Sequence, residues 1–422
     1  MMHYFMIIFP IMLTIMFTLT TIPLLVWMER RVAALIQDRL GPNRCNIKGI
    51  RLGGIIQPIA DMLKLLFKEE FYPKHIKHKF YYILAPSIVF ASSFLSFMVI
   101  PYADDITLNG FTYHIQALPI ELGVLWVFAF AGLGVYGIII AGWASHNKYS
   151  ILGALRASSQ VVSYEIAMGL AIVSMLITYN SISLNDMVQF QGQLIFGFIP
   201  AWGILMQPLA GLIFIVTAFA ETNRAPFDAA EGESEIVAGY HTEYSAMKFA
   251  LFFMGEYIAM SAASALIVTI FFGGYQIPWL NTQTMHEHMQ LVILLLMVAI
   301  PLMALGFISW MKFNNSSSPQ HQKETKFATI FIAVFIIFLE SLFFYLFASG
   351  MSSEGSSVFT MILQIASFSI KVMLMNFVFV WVRWTFPRFR YDQTQHLGWR
   401  ILLPLSLLNI FITAIVVVVG GF

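Results

Sequence analysis

Ten apolar stretches of about 20 residues or more constrain what this chain can fold into. Each is long enough to cross the roughly 30 Å hydrocarbon core of a bilayer as an α-helix. They lie near 5–28, 81–101, 119–142, 159–179, 196–220, 247–272, 289–311, 327–349, 358–382 and 400–421. The sequence lacks the alternating pattern of a membrane β-barrel, so the spans are predicted to be helices. We therefore predict an all-α polytopic membrane protein, folded as one transmembrane domain over residues 1–422.

Composition supports this class. Of the 422 residues, 59% are hydrophobic and 11% are charged, and a soluble core cannot bury that much apolar surface. The first span is followed by MERR rather than a small-residue cleavage site, which is typical of a retained helix and not of a signal peptide. The net charge of +1 gives no indication of a nucleic-acid partner.

The basic residues predict the orientation of the chain. The loops after spans 2, 4, 6 and 8 contain no Lys or Arg, whereas the loops on the other side are rich in both. The positive-inside rule then places the basic loops on the cytoplasmic or matrix face and both chain termini on the opposite face.

The segment 221–245 is the strongest functional signal. It packs six carboxylates into the 24 residues from 221 to 244, between two long apolar runs. The six are Glu221, Asp228, Glu231, Glu233, Glu235 and Glu243. Ionisable groups beside a lipid-embedded core are costly, so such a cluster indicates a proton or ion pathway.

Cysteine and histidine usage excludes several kinds of chemistry. Cys45 is the only cysteine, so the chain cannot form an internal disulfide or supply the thiolates of an iron–sulfur cluster. We therefore expect no cofactor bound by this chain alone and no metal site. His286-Glu287-His288 offers possible metal ligands, but a hydrated outer loop is the better interpretation.

The predicted inner-face loop 29–80 contains an amphipathic helix. Gln57, Asp61, Lys64 and Lys68 recur at intervals of four, three and four, which places them on one helical face. This pattern is compatible with an anchor in the lipid headgroups and also with the wall or floor of a lipid-accessible cavity. Arg39 precedes a Gly-Pro turn in the same loop, where basic residues can equally be simple membrane anchors.

Four charged residues fall inside the predicted spans, namely Glu121, Glu165, Glu256 and Lys371. Buried carboxylates there serve either function or packing between helices. In the acidic segment, the spacing of Asp228, Glu231 and Glu235 would place all three on one face of a helical turn. Repulsion on such a face would favour sharing of one proton at neutral pH.

Six motifs in order carry a family resemblance. They are MERRVAALIQDRLGPNR, GGIIQPIADMLKLLFKEE, GWASHNKYSILGALRASSQVVSYE, ETNRAPFDAAEGESEIVAGYHTEY, GEYIAM and WVRWTFPRFRYDQ. Together they closely resemble the quinone-chamber membrane subunit of respiratory complex I, which is the H subunit of the bacterial enzyme and subunit 1 of the mitochondrial one. The resemblance covers about residues 1–280 and 358–422. The stretch 289–349 has no counterpart in the eight-helix family core and resembles an inserted transmembrane hairpin.

The resemblance implies a membrane subunit of proton-pumping NADH:quinone oxidoreductase, which forms the quinone entry path and links quinone reduction to proton translocation. It implies quinone-binding roles for Arg39, Gln57, Asp61, Lys64, Arg224 and Phe227. It implies a carboxylate relay formed by Glu165, Glu221, Glu231, Glu233, Glu235, Glu243 and Glu256. His241 stands where the family often has Asn, and its ordinary pKa lies near neutrality.

The resemblance also implies partners. Quinone is the substrate, and the iron–sulfur clusters and FMN belong to partner subunits. The expected partners are the peripheral quinone-site and terminal-cluster subunits, small membrane subunits, antiporter-like subunits and lipid. A bacterial cytoplasmic membrane is favoured over the mitochondrial inner membrane. Two alternatives remain open: the related membrane subunit of an energy-converting hydrogenase and a free-standing ion transporter, although no internal repeat typical of transporters is evident.

Overall fold

The computed structural model describes residues 2–46, 51–195, 197–314 and 319–420, with a few side chains excepted. The first helices are α1 (Met2–Ile36), α2 (Ile56–Phe67), α3 (Lys79–Ser96), α4 (Gly123–Ala144), α5 (Lys148–Tyr179), α6 (Leu184–Gln191), α7 (Gly203–Met206) and α8 (Pro208–Glu221). They are followed by α9 (Glu233–Ile236), α10 (Ala246–Phe271), α11 (Thr282–Glu287), α12 (Met289–Asn314), α13 (Pro319–Ser349), α14 (Ser353–Thr385), α15 (Tyr391–His396) and α16 (Leu403–Gly420). Two small antiparallel hairpins pair β1 (Ile106–Leu108) with β2 (Phe111–Tyr113) and β3 (Leu194–Ile195) with β4 (Ile199–Pro200).

The prediction of an all-α polytopic membrane protein is confirmed. Among the described residues, nine helices are long and apolar enough to cross a membrane, and α8 is a shorter apolar helix. The predicted fifth span at 196–220 is therefore wrong as one continuous helix. Its first residues contribute to the β3–β4 hairpin and α7, and α8 at 14 residues is about 21 Å long, less than the hydrocarbon thickness.

Pro208 explains the interruption. Proline lacks a backbone N–H and disfavours helical geometry in the residue before it, and Gln207 accordingly has φ −134° and ψ 66°. The side-chain amide nitrogen Nε2 of Gln207 donates to Thr178 Oγ1 at 3.2 Å and to Thr413 Oγ1 at 3.0 Å. Hydrogen bonds to α5 and α16 thus hold the side chain at the break.

The loops sort to two ends of the bundle in alternation. At one end, called the basic end below, contacts join the last turns of α1 and α14, the first turns of α3 and α5, and the acidic segment 221–245. At the opposite end, Asp104 accepts hydrogen bonds from Gln189 at 3.0 Å and Thr282 at 2.6 Å. The main core lies between α1, α5, α8, α10 and α14.

Two predicted boundaries need correction. The inner-face loop does not begin at residue 29, because α1 continues through the apolar run VAALI to Ile36. Glu29 therefore lies on a helix and is buried. Glu121 is not inside a span, since it lies in an exposed turn before α4 begins at Gly123. The amphipathic helix within 51–70 is present as α2.

Helices α12 and α13 form a peripheral pair. Their main apolar contact with the rest of the bundle is a small cluster that includes Ile293, Phe343 and Phe359 of α14. Only 6% of the most apolar stretch of α13 is buried within the chain, compared with 67% of the corresponding stretch of α10. The pair thus presents most of its surface outward, as expected for helices at the edge of a bundle in lipid.

Candidate functional site

The acidic segment folds into tight turns rather than into one helix. After α8 ends, the chain makes turns up to Gly232, then the four-residue helix α9 and a 3₁₀ turn at Gly239–His241. Gly239 has φ +60°, and a Cβ atom there would lie 1.8 Å from the carbonyl oxygen of Ala230. Only glycine fits this approach, which brings Tyr240 back over the first turns of the segment.

Glu29 is the centre of a buried network at the basic end. Arg224 Nη1 lies 3.4 Å from Glu29 Oε2, and Arg383 donates to the other oxygen of the same carboxylate. The hydroxyl of Tyr257 donates to Glu29 as well. Glu29 is 8% exposed and Arg224 is 4% exposed. Burial of a carboxylate is costly unless it is paired, and the two guanidinium groups and the Tyr257 hydroxyl supply that pairing for Glu29.

Glu256 lies on the other side of Arg224. Tyr240 donates its hydroxyl proton to Glu256 Oε1 at 2.8 Å, and Arg224 Nη2 lies 3.8 Å from Glu256 Oε2. The guanidinium carbon of Arg224 also lies 4.4 Å from the ring centroid of Tyr257. Arg224 therefore connects the carboxylates of α1 and α10.

Glu231 shares this environment. Burial raises the pKa of Glu231 well above its ordinary value, and the charges of Glu256 and Asp228 and a hydrogen bond with the Glu256 carboxyl group raise it further, while Arg224 opposes the shift. His241 Nδ1 lies 3.9 Å from Glu231 Oε1. Two carboxyl groups in hydrogen-bond contact favour one shared proton, which makes this pair suited to binding and releasing a proton.

Asp228 and Glu235 do not lie on one face with Glu231, so that prediction is wrong. Residues 228–232 form turns, and the helix that includes Glu235 is four residues long. Asp228 is buried and accepts a hydrogen bond from Arg388 at 2.6 Å, and burial raises its pKa although Arg388 opposes the shift. Glu235 is 45% exposed and pairs with Arg156 at 2.6 Å.

Glu221 and Glu256 line a common cavity of about 100 Å³ between α3, α4, α5, α8 and α10. The hydroxyl groups of Ser92 and Ser93 lie along its wall together with Tyr240. Glu165 on α5 approaches α4 closely, since a Cβ atom at Gly132 would lie 3.6 Å from Glu165 Oε1. The charge of Glu165 acts on Glu221, so these two acids lie within electrostatic range of each other.

Glu243 lies at the far end of the acidic segment, where it contacts other parts of the basic end. Glu243 Oε1 accepts a hydrogen bond from Asn147 at 2.7 Å, and His75 Nε2 lies 3.7 Å from Glu243 Oε2. The side chain of Glu233 lies outside the part of the chain that the structure describes. Of the seven predicted relay acids, the structure brings Glu231 and Glu256 into contact, with Glu221 and Glu165 nearby.

Two predicted quinone residues on α2 interact with each other. Gln57 donates to Asp61 at 3.1 Å, and Asp61 also pairs with Arg30 of α1 at 2.5 Å. Lys64 and Arg39 are exposed, and Arg39 donates to Gln37 at 2.7 Å.

The other two predicted quinone residues, Arg224 and Phe227, are buried within this chain. The ring of Phe227 lies 5.3 Å from the ring of Tyr164 and 5.4 Å from that of Phe389. The sequence shows Arg224 and Phe227 only as neighbours in one loop, because the partners that bury Phe227 are far away in the chain, on α5 and in the segment between α14 and α15.

Several site residues were missed by the sequence reasoning. Glu29 is itself a buried acid, and Tyr240, Tyr257, Arg383 and Arg388 donate hydrogen bonds to Glu256, Glu29 or Asp228. One signal was available: Glu29 directly follows an apolar run and precedes two arginines, and a lone acid at a helix end beside lipid requires a partner. Among the described residues, no group of three or more His, Cys, Asp or Glu side chains is placed to hold a metal ion.

This arrangement defines a polytopic helical membrane protein with a buried ionisable network at the end where its basic loops lie. Carboxyl groups buried beside guanidinium and phenol groups are of the kind that can bind protons within a membrane protein. The sequence model of the NADH dehydrogenase family matches residues 9–313 and 324–414, and the chain belongs to this family.

Similar proteins extend along nearly the whole chain. The H subunit of NADH-quinone oxidoreductase from Flavobacterium psychrophilum is 39% identical over 389 residues, which cover 92% of this chain and 90% of that protein. The corresponding H subunit from Bdellovibrio bacteriovorus is 37% identical over 422 aligned positions, covering 95% and 93% of the two chains. NADH-quinone oxidoreductase subunit 8 of Rhodothermus marinus is 37% identical, with 94% and 93% covered.

Proposed function

We propose that this chain is the H-type membrane subunit of a proton-pumping NADH:quinone oxidoreductase. In this role it forms the quinone entry path and transmits quinone reduction to a carboxylate relay. The names and coverage of its relatives support the subunit assignment. The observation that carries the relay is the contact of Glu231 with Glu256 beside Arg224 and Tyr240, where the two carboxyl side chains are only 23% and 17% exposed.

Quinone enters in this proposal along α2, with Gln57, Asp61 and Lys64 at the entry path and Arg39 near its edge. The exposed apolar side chains of α2, including Ile59, Met62 and Leu66, support contact with a lipid-soluble substrate. In this proposal Arg224 and Phe227, which are buried within this chain, stabilise the loop behind the chamber and do not contact quinone directly.

The relay begins at the Glu231 and Glu256 pair. Charge that develops at quinone alters the field at this pair, which then binds or releases a proton. Glu221 is the next carboxylate because it shares a cavity with Glu256, and Glu165 follows because its charge acts on Glu221. Glu243, Glu235 and Glu233 are entry positions for protons in this proposal, and Glu235 is the one with a 45% exposed side chain.

The same proposal assigns the remaining components to partners. Iron–sulfur clusters and FMN belong to other subunits, and the basic end faces the peripheral quinone-site and terminal-cluster subunits. Small membrane and antiporter-like subunits flank the bundle in lipid. We place the complex in a bacterial cytoplasmic membrane. The α12–α13 pair, with its small contact to α14, supports an inserted hairpin over 289–349.

The test is Glu256→Gln, measured in membrane vesicles that contain the assembled complex. Glutamine keeps the volume and hydrogen-bonding capacity of glutamate but cannot ionise. We expect NADH oxidation by an artificial acceptor at the peripheral arm to stay unchanged and quinone-linked proton pumping to be largely lost. Glu287→Gln, an exposed acid at the opposite end, is the matched control and retains both activities. Normal pumping in Glu256→Gln would assign Glu256 to packing.

A further inference from the structure

Lys248 is a buried cation that the proposed relay does not use. It lies in the first turn of α10 and is 6% exposed. Its ammonium nitrogen donates to Glu70 Oε2 at 2.7 Å and lies 3.9 Å from the ring centroid of Tyr72. Burial of an ammonium group is costly unless it is paired, and a carboxylate with an aromatic face supplies the pairing. The Glu70–Tyr72–Lys248 cluster, called the lysine clasp below, is therefore a specific attachment.

The lysine clasp joins two functional elements. Glu70 and Tyr72 directly follow α2, the helix that carries Gln57, Asp61 and Lys64. Lys248 precedes Glu256 by eight residues, or about 12 Å along the same helix. Helices α2 and α10 also pack against each other.

The part of the chain that follows α2, residues 70–82, is also attached to the end of the acidic segment. The Tyr82 hydroxyl donates to the carbonyl oxygen of Glu243 at 2.6 Å. The rings of Tyr82 and Tyr244 stack with centroids 4.2 Å apart at an angle of 6°. Residues 70–82 therefore contact α10 and the acidic segment at separate points, and the lysine clasp supplies the ion pair to α10.

We propose that Lys248 is a positioning residue that couples the segment leaving α2 to the position of Glu256. Occupancy of the entry path by quinone displaces α2, and the lysine clasp transfers this displacement to the first turns of α10. The inference rests on the proposed function, because it acts through Glu256. It adds a link between substrate and relay that does not pass through the Arg224 network.

The experiment compares Lys248→Met, Lys248→Arg and Glu70→Gln in vesicles with the assembled complex. Methionine keeps the length and apolar stem of lysine without the charge, and Glu70 is 46% exposed, so Glu70→Gln leaves the core intact. Lys77→Met is the control, since Lys77 is exposed on the same segment. The readout is the number of protons pumped per electron, together with quinone turnover per assembled complex.

We expect Lys248→Met and Glu70→Gln each to lower the proton-to-electron ratio at least twofold, and the double variant to lower it no further than Lys248→Met does. Lys248→Arg retains most of the ratio because arginine can still donate to Glu70. A purely structural role would lower the amount of assembled complex and leave the proton-to-electron ratio unchanged, and that result overturns the inference. Additive losses of the ratio in the double variant also overturn it. If Glu256→Gln loses pumping while Lys248→Met keeps a normal proton-to-electron ratio, the role of the lysine clasp is refuted and the relay is not. If Glu256→Gln pumps normally, the relay itself is refuted.

Discussion

Replacement of Glu231 by Gln is expected to impair proton pumping far more than replacement of Glu235 by Gln, although the two acids are four residues apart. Glu231 contacts Glu256 beside Arg224, whereas Glu235 is 45% exposed and pairs with Arg156. The pair is matched in chemistry and in position along the sequence. Only the environment of the carboxyl group differs, so the comparison isolates the buried site.

The magnitudes follow from the two environments. Arg224 lies 3.8 Å from Glu256, which corresponds to an attraction of about 4 kcal/mol at an effective dielectric constant of about 20. Gln at position 231 keeps a hydrogen-bonding group beside Glu256 but removes the acid whose pKa is raised there, so one proton-binding group of the pair is lost. A block of even about 1.4 kcal/mol lowers a rate tenfold. The exposed Glu235–Arg156 pair contributes only about 0.2–1 kcal/mol to stability.

The assay measures NADH-to-quinone turnover and pumping in membranes with the assembled complex, normalised to NADH oxidation by an artificial acceptor. We expect Glu231→Gln to lower quinone turnover by about tenfold or more and to abolish most pumping. Glu235→Gln should stay within about twofold of wild type, because loss of an exposed pair alters little. Equal losses in the two variants, or normal pumping in Glu231→Gln, would show that burial beside Glu256 is not what matters.

Three further predictions concern membrane topology, the role of Glu165 and the pH dependence of stability. Reporter fusions at Glu287 and Glu354 should report the outer face and a fusion at Gly232 the inner face, since the basic loops alternate with loops that lack Lys and Arg; Gly232 and Glu287 on the same side would contradict the topology. Glu165→Gln should assemble but lose most quinone-linked pumping, and retention of pumping would indicate a packing role. The pKa of Glu231 is raised in the fold, so its contribution to stability is complete below the ordinary carboxyl value of 4.5 and is lost as pH rises through the raised pKa. Thermal inactivation of the complex should therefore accelerate with pH above 4.5, and less steeply in Glu231→Gln; identical profiles would argue against the shift.

The spans were predictable because apolar length alone defines them, and the exception has a local cause. The stretch 196–220 contains Pro208, which disfavours helical geometry at Gln207. The high average hydrophobicity of the stretch nevertheless predicted one continuous span. The depth of Glu29 was not predictable in the same way. Apolar residues after Arg31 extend α1 beyond the two arginines, and the charges of MERR obscured that continuation.

The acidic segment shows why spacing could not reveal the site. Asp228 and Glu231 are linked locally, since the Glu231 amide donates to Asp228 Oδ1 at 3.2 Å, but Glu235 turns away to Arg156. A spacing of three and four places residues together only if the segment is helical, and Gly232 and Gly239 interrupt the helix with positive φ.

The rest of the site is formed by contacts between residues that are far apart in the sequence. These contacts also determine how the site responds to movement of the helices. Glu29 contacts Arg224 at a separation of 195 residues and Arg383 at 354, distances at which a single sequence carries no pairing information. Arg224 contacts Glu29 and Glu256 together, so the position of α1 enters the electrostatic field at the relay. A displacement of α1 that draws Arg224 toward Glu29 strengthens that pair and lengthens the distance from Arg224 to Glu256, which weakens their attraction. The electrostatic field at Glu256 then depends on the position of α1, as the proposed coupling of quinone reduction to proton movement requires.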